Sequence, residues 1–242
     1  MQPRQSSDSV ISVVVPCYNV APYVDDCFES ITGQTHRDLQ IIAVDDGSTD
    51  ETGDHLARWA ARDERITLVT RPNGGLGAAR NTGVAAARGA FLAFVDSDDT
   101  LPSEALATMV ASADVTGSDL VTGVVRRFDA SRSWKVALHV GMFTRYTPTT
   151  HIYERPSLVR DHIVCGKLYR RDFWERERLS FPEGVLFEDI EVATRAHCLA
   201  RSVDIVPETI YMWRARPSGD PSITQDRTRP GGVSGRFVAL TT

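Results

Sequence analysis

Between Ile11 and Val95 the chain repeats one arrangement four times. A short run of β-branched and other apolar residues gives way to a segment whose apolar side chains recur every three or four positions. The runs are Ile11–Pro16, Leu39–Val44, Ile66–Thr70 and Ala90–Val95. Continuous rather than alternating apolar runs are what a strand buried on both faces requires. The periodic segments are Val20–Thr32, with Val24, Cys27, Phe28 and Ile31 on one face, then Ser48–Arg62, Leu76–Ala87 and Glu104–Ala113. Ser48 and Glu51 have the spacing of a capping box, and Ser103 is placed to cap the fourth helix. Four strand–helix units in succession predict an α/β fold: a Rossmann-like, mostly parallel sheet with helices on both faces.

Beyond Asp114 the pattern weakens. Leu120–Phe128 reads as a strand, Ser131–Arg160 as a hairpin or long loop, Phe187–Ala200 as a helix, and Val203–Trp213 as one or two strands. From about Arg216 the chain is rich in Pro, Gly, Ser and Arg and reads as loop. There is no internal repeat and no second core. The expectation is one domain over residues 1–225, its second half (116–225) forming a subregion of its own, followed by a flexible tail at 226–242.

In parallel sheets ligands sit at the carboxyl ends of the strands. Asp45-Asp46 ends the second run, Asn73-Gly74-Gly75 follows the third, and Asp96-Ser97-Asp98-Asp99 ends the fourth. Three polar clusters therefore fall on one rim. Carboxylates set side by side repel one another, and a divalent cation such as Mn²⁺ or Mg²⁺ bridging to phosphate is the group such a loop suits. A turn and a helix cap explain Gly47 and Ser48. They do not need two adjacent acids, one of which could accept hydrogen bonds from a base or ribose. In PNGGLGAARNTG (72–83) the glycines let the backbone approach a ligand, and Arg80 lies one helical turn in. Glu188-Asp189 opens a helix whose dipole explains acidity at that place but not which acid. Strand alternation accounts for Lys167 and Tyr169 as well as a ligand contact does. Trp134, Trp174 and Trp213 could stack on sugar rings, though packing is the commoner role. The six histidines show no metal spacing, and a satisfied or exposed histidine is the default for each.

Net charge is −5, which provides no bulk basic field for nucleic acid, although Arg126-Arg127 and Arg170-Arg171 are local anion contacts in waiting. The cysteines Cys17, Cys27, Cys165 and Cys198 form no CxxC pair and read as reduced, mostly buried thiols. There is no signal-peptide core at the N-terminus and no apolar run near the ~18 residues of a membrane span. A cytoplasmic protein is expected, with attachment at the inner face of the membrane through a partner left open.

Four blocks carry a resemblance: ISVVVPCYN (11–19), IIAVDDGSTD (41–50), RPNGGLGAARNTGV (71–84) and FLAFVDSDDTL (91–101). In that order and spacing they resemble family-2 glycosyltransferases of the GT-A fold, over roughly residues 10–115. CGKLYRRDFW (165–174), FPEGVLFEDIEVATRA (181–196) and YMWRARPSGDPSITQ (211–225) are similar to the branch that glycosylates teichoic acids and capsular polymers. The resemblance implies a UDP-sugar donor bound by the first half and a polyol-phosphate or polysaccharide acceptor bound by the second. It implies that Pro16, Tyr18, Asp46, Asn73, Arg80 and Asp96 bind the donor and that Asp98 holds Mn²⁺ or Mg²⁺. It assigns Asp189 as the catalytic base with Glu188 beside it, and places Arg214, Arg216 and Ser222 in a segment closing over the diphosphate. Lys167 and Glu188 are further acceptor-side or supporting candidates. The chemistry implied is inverting sugar transfer.

Two rivals are a haloacid-dehalogenase-like phosphohydrolase, whose DxDxT signature FVDSDDT also fits, and a nucleotide-sugar-binding module without catalysis. The first would put its motif in the opening strand rather than the fourth and leaves DDGSTD and NGGLGAARNTG without a role. A nucleotidyltransferase would need a basic glycine-rich loop that VPCYNVAPYV lacks. Oligomeric state, sugar and linkage are not written in the sequence.

Overall fold

The protein is described by a computed structural model covering residues 9–139 and 141–217. Four parallel strands, β1 (Ile11–Cys17), β2 (Leu39–Asp45), β3 (Ile66–Thr70) and β4 (Phe91–Phe94), form one half of the sheet in the order β3-β2-β1-β4. Each is followed by a helix: α1 (Val24–Thr32), α2 (Thr52–Arg62), α3 (Leu76–Ala86) and α4 (Ala105–Thr116). Burial on both faces explains the nearly continuous apolar runs of β1, β2 and β4, whereas β3, at the sheet edge, buries only Ile66. All seven residues of β1 are buried. Val14 faces α3, because a Cβ added to Gly83 would collide with its side chain, so Val13 and Val15 must be covered from the opposite face.

The second half extends the same sheet with mixed polarity. β8 (Lys167–Arg170) runs antiparallel to both β4 and β5 (Leu120–Phe128), and β9 (Val203–Arg214) runs parallel to β5. β7 (Thr147–Thr150) closes this edge, and β6 (Ser133–Lys135) pairs with β5 as a hairpin. Among the described residues nine strands thus form a single sheet. α5 (Arg171–Arg176) follows β8, and α6 (Glu188–Leu199) packs beside α3.

Several expectations are revised. α2 begins at Thr52, and the Ser48–Glu51 capping box does not form. Ser48 instead accepts the Asn19 N–H at 3.2 Å, while Asp50 accepts the Thr52 N–H at 3.0 Å. Ser103 is likewise no side-chain cap for α4, which starts at Ala105. Of the one or two strands expected over Val203–Trp213, the structure has one, Val203–Arg214, with a bulge opposite Thr122–Val125. β8 joins the two halves, so one main core runs through both, in keeping with a single domain. Cys17, Cys27 and Cys165 are buried free thiols, but Cys198 is exposed. The expected tail at 226–242 and Ser222 lie outside the described residues.

Candidate active site

The carboxyl ends of β1, β2 and β4 bring the sequence clusters together. The Asp46 N–H donates to the Cys17 carbonyl at 2.9 Å, which locks the DDG turn to the end of β1. Gly47 (φ +74°) completes that turn, and a Cβ there would sit 2.8 Å from the Asn73 amide nitrogen. The DDG turn and the NGG loop therefore lie against each other. Asp46, almost wholly buried, accepts the Gly74 N–H at 3.1 Å and the Gly75 N–H at 2.8 Å, with Arg71 Nε at 3.4 Å. Its carboxylate shapes the loop in addition to any contact with a base. Tyr18 and Asn73 are exposed, and Pro16 is buried in β1 opposite Val44.

Arg80, from the first turns of α3, is buried. Its Nη2 donates to Asp96 Oδ1 at 2.7 Å and its Nη1 donates to Glu188 Oε1, while the guanidinium lies 5.2 Å from the Phe181 ring. One arginine thus ties the acidic loop after β4 to the first residue of α6, 108 positions away in sequence. Gly77 makes this approach possible, since a Cβ there would strike the Pro182 carbonyl oxygen. Phe187, at the N-cap of α6, holds a left-handed φ of 63°. For a bulky residue that is a strained conformation, and it sits directly before Glu188-Asp189.

Asp189 is half-buried and accepts no side-chain hydrogen bond among the described residues. Desolvation pushes its carboxyl up to about 7, with Glu188 and Asp96 adding repulsion and Arg80 partly offsetting it. That is the range a general base working near neutral pH needs. Asp98 and Asp99 are also held above the ordinary carboxylate range, both by burial first. Arg216 Nε pairs with Asp98 Oδ2 at 2.7 Å, and Arg214 donates from Nε to the Asp98 carbonyl at 2.6 Å and from Nη2 to Asp26 at 2.9 Å. Both guanidinium groups lie over the Tyr23 ring.

The structure also places Tyr211 in the site. Its hydroxyl donates to Asp99 at 2.7 Å and accepts the Asp96 N–H at 3.1 Å, so the end of β9 orders the acidic loop. Only the strand period of YMWR hinted at this, since that alternation reads equally well as core. Lys167 is corrected. It is buried and donates to Asp161 at 2.7 Å, within a cluster that includes Thr122, His139 and His197, so it does not reach an acceptor. Trp174 is core, whereas Trp134 and Trp213 are half-buried.

Among the described residues no three His, Cys, Asp or Glu side chains converge as a metal cage. Mn²⁺ and Mg²⁺ do not require one, since they are commonly held by one or two carboxylates plus phosphate oxygens and water. Asp98 fits that use. Burial first and then the nearby Asp96 disfavour its charge, and the Arg216 guanidinium pairs with it.

The match to known proteins then settles the family. The model for Glycosyl transferase family 2 covers residues 12–177. The chain belongs to glycosyltransferase family 2. It is 32% identical over 225 residues to the uncharacterized glycosyltransferase EpsJ of Bacillus subtilis, covering 91% of this chain and 64% of that protein. It is 27% identical over 215 residues to the poly(ribitol-phosphate) beta-glucosyltransferase of Bacillus spizizenii, covering 87% of this chain and 33% of that enzyme. The chain therefore spans under two thirds of the length of these relatives. In structure it is similar to S. aureus TarS in complex with UDP-GlcNAc, with a TM-score of 0.77 at 24% identity over 88% of this chain and 62% of that one. It is also similar to the mannosyltransferase PcManGT of Pyrobaculum calidifontis in complex with GDP-Man and Mn²⁺, with a TM-score of 0.66 at 23% identity over 87% of this chain and 58% of that one. The expected GT-A-like α/β fold, with a mixed and mostly parallel sheet, is confirmed. Membership also sets aside the phosphohydrolase rival.

Proposed function

We propose that this chain is an inverting, metal-dependent glycosyltransferase that moves a sugar from a UDP-sugar to a hydroxyl of a polyol-phosphate or polysaccharide chain. The observation that carries the reading is Asp189. It is a half-buried carboxyl raised to about 7, joined through Glu188 and Arg80 to the acidic loop at Asp96–Asp99. The donor class is supported by the TarS complex with UDP-GlcNAc, the metal by the PcManGT complex with Mn²⁺, and the acceptor class by the poly(ribitol-phosphate) beta-glucosyltransferase.

In this reading Tyr18, Asp46 and Asn73 frame the nucleobase, and Asp96 meets the ribose side. Asp98 would hold Mn²⁺ or Mg²⁺, which would neutralise charge developing on the diphosphate leaving group. Asp189 takes the proton of the acceptor hydroxyl as that oxygen attacks the anomeric carbon. The bond from that carbon to the diphosphate oxygen breaks, and its electron pair leaves with the diphosphate. Attack from the face opposite the leaving group inverts the centre. Arg80 pairs with Glu188 and Asp96, whereas Asp189 has no salt-bridge partner among the described residues. Arg214 and Arg216 offer positive charge to the departing diphosphate.

The test is a transfer assay of UDP-sugars against ribitol-phosphate oligomers and neutral polysaccharides, with the product anomer read by NMR. One inverted product anomer supports the reading. Retention of configuration, or no transfer with any pair, overturns it.

A further inference from the structure

Two features of the second half have no role in the reaction above: the Arg126-Arg127 pair and the two half-buried tryptophans, of which Trp213 packs one side against the core. The sheet register brings them together. Arg127 on β5 lies directly opposite Trp134 on β6 and directly opposite Trp213 on β9. The three residues form a single row across adjacent strands, about 10 Å wide at ordinary strand spacing. The Arg127 guanidinium lies 4.7 Å from the Trp213 ring centroid, and Arg132 lies 5.2 Å from that of Trp134. All three members of the row are half-buried.

Neither Arg127 nor Arg132 has a carboxylate partner within salt-bridge distance among the described residues, and Arg127 Nε is buried without any hydrogen-bond partner. A buried, unpaired guanidinium donor is expensive unless a ligand completes it. The nearest acid in the hairpin, Asp129, is used on its own turn, where it accepts the N–H groups of Ser131 and Arg132 at 2.8 and 3.1 Å. Lys135 and Arg126 pair one register step away and so point to the opposite face of the sheet.

The row is continuous with the reaction centre. Tyr211, two residues earlier on β9 and therefore on the same face as Trp213, donates to Asp99. That is a displacement of about 7 Å along the strand. A planar fork of donors between two aromatic faces suits a phosphodiester whose flanking carbons pack on the rings.

We propose that the Trp134–Arg127–Trp213 row, with Arg132 at its edge, is an acceptor subsite that holds a phosphodiester of an anionic polyol-phosphate polymer. This deepens the reading above by committing the acceptor class, and it rests on that reading. The subsite makes the phosphate-bearing chain the preferred acceptor and leaves donor binding to the first half.

The test titrates a short synthetic ribitol-phosphate oligomer into the full chain with UDP and Mn²⁺ present, read by tryptophan fluorescence, alongside a neutral oligosaccharide and a single-stranded oligonucleotide. Arg127→Gln should weaken oligomer binding about tenfold or more. Arg132→Gln should weaken it severalfold and flatten its salt dependence. Trp134→Ala should weaken it severalfold, with Trp134→Phe restoring most of the loss. UDP affinity should stay unchanged in all four, as should the melting temperature of Arg132→Gln, whose side chain is exposed. Unchanged oligomer affinity in Arg127→Gln and Arg132→Gln overturns the proposal, as does equal binding of the neutral oligosaccharide or of the oligonucleotide. Failure of sugar transfer with UDP-sugars would instead sink the enzymatic reading while leaving the binding result to stand or fall by itself.

Discussion

Replacing Asp189 by asparagine should make the protein more stable while abolishing turnover. The carboxyl lies at about 7 rather than the ordinary 3.8 because folding strips its water and sets Glu188 and Asp96 nearby. Raised by that much, the ionised form is disfavoured in the folded state by about 4 kcal/mol. The side chain is half-buried rather than sealed, and solvent screening reduces this to roughly 2 kcal/mol. The folded carboxyl binds its proton more tightly than the unfolded one, so stability is greatest below pH 4. It falls as pH rises from about 4 to about 7 and is flat above that. Asparagine carries no charge and escapes this loss. At pH 8 the variant should melt roughly 4–8 °C above the wild type, by the usual scaling for a chain of this size. The gap should close toward pH 4. Turnover should fall about 10²- to 10⁴-fold, the span of a lost general base. Differential scanning calorimetry across pH 4–8 with a parallel transfer assay measures both. A variant that melts lower at pH 8, or keeps wild-type turnover, refutes the reasoning.

Other outcomes follow from the same contacts. The pH profile of kcat/KM should rise through an apparent pKa near 7 as Asp189 ionises, and a profile flat from pH 5 to 8 would exclude that carboxyl as the base. Arg80→Gln strands two carboxylates and should cost about 3–5 kcal/mol, seen as a lower denaturant midpoint, because breaking a buried pair leaves uncompensated charge. Gly77→Ala pushes α3 off Pro182 and should destabilise by roughly 1–3 kcal/mol, with a larger loss in turnover than in UDP binding. Arg216→Gln removes the guanidinium from Asp98 and should tighten Mn²⁺ binding in the absence of nucleotide, as followed by electron paramagnetic resonance.

The parallel half was legible because a strand covered on both faces is mostly apolar, and Ile11–Pro16 and Leu39–Val44 each carry a single polar residue, Ser12 and Gln40, which hydrogen-bond to each other. The rim clusters followed from topology alone. What the residues did not disclose lies in pairings distant in sequence. Arg80 looked like a donor contact one turn into a helix, yet its partners are Asp96 and Glu188, and it is buried between them. Asp161, Lys167, His139 and His197 are scattered over four segments and meet only because β8 inserts between β4 and β5. The alternation at Lys167 and Tyr169 suggests a strand, but four residues with a lysine and an arginine among them do not say which strands β8 joins. The capping box at Ser48 failed because Asn19, from the loop after β1, competes for that hydroxyl.

The central claim, a uridine-diphosphate site completed by a divalent cation, is tested most directly by calorimetric titration of UDP with Mn²⁺ present and again in EDTA, with GDP and CDP as controls. Binding that is selective for UDP, weakened in EDTA and lost in Asp98→Asn is the predicted result. Absence of UDP binding under both conditions, or equal binding of GDP and CDP, would contradict it.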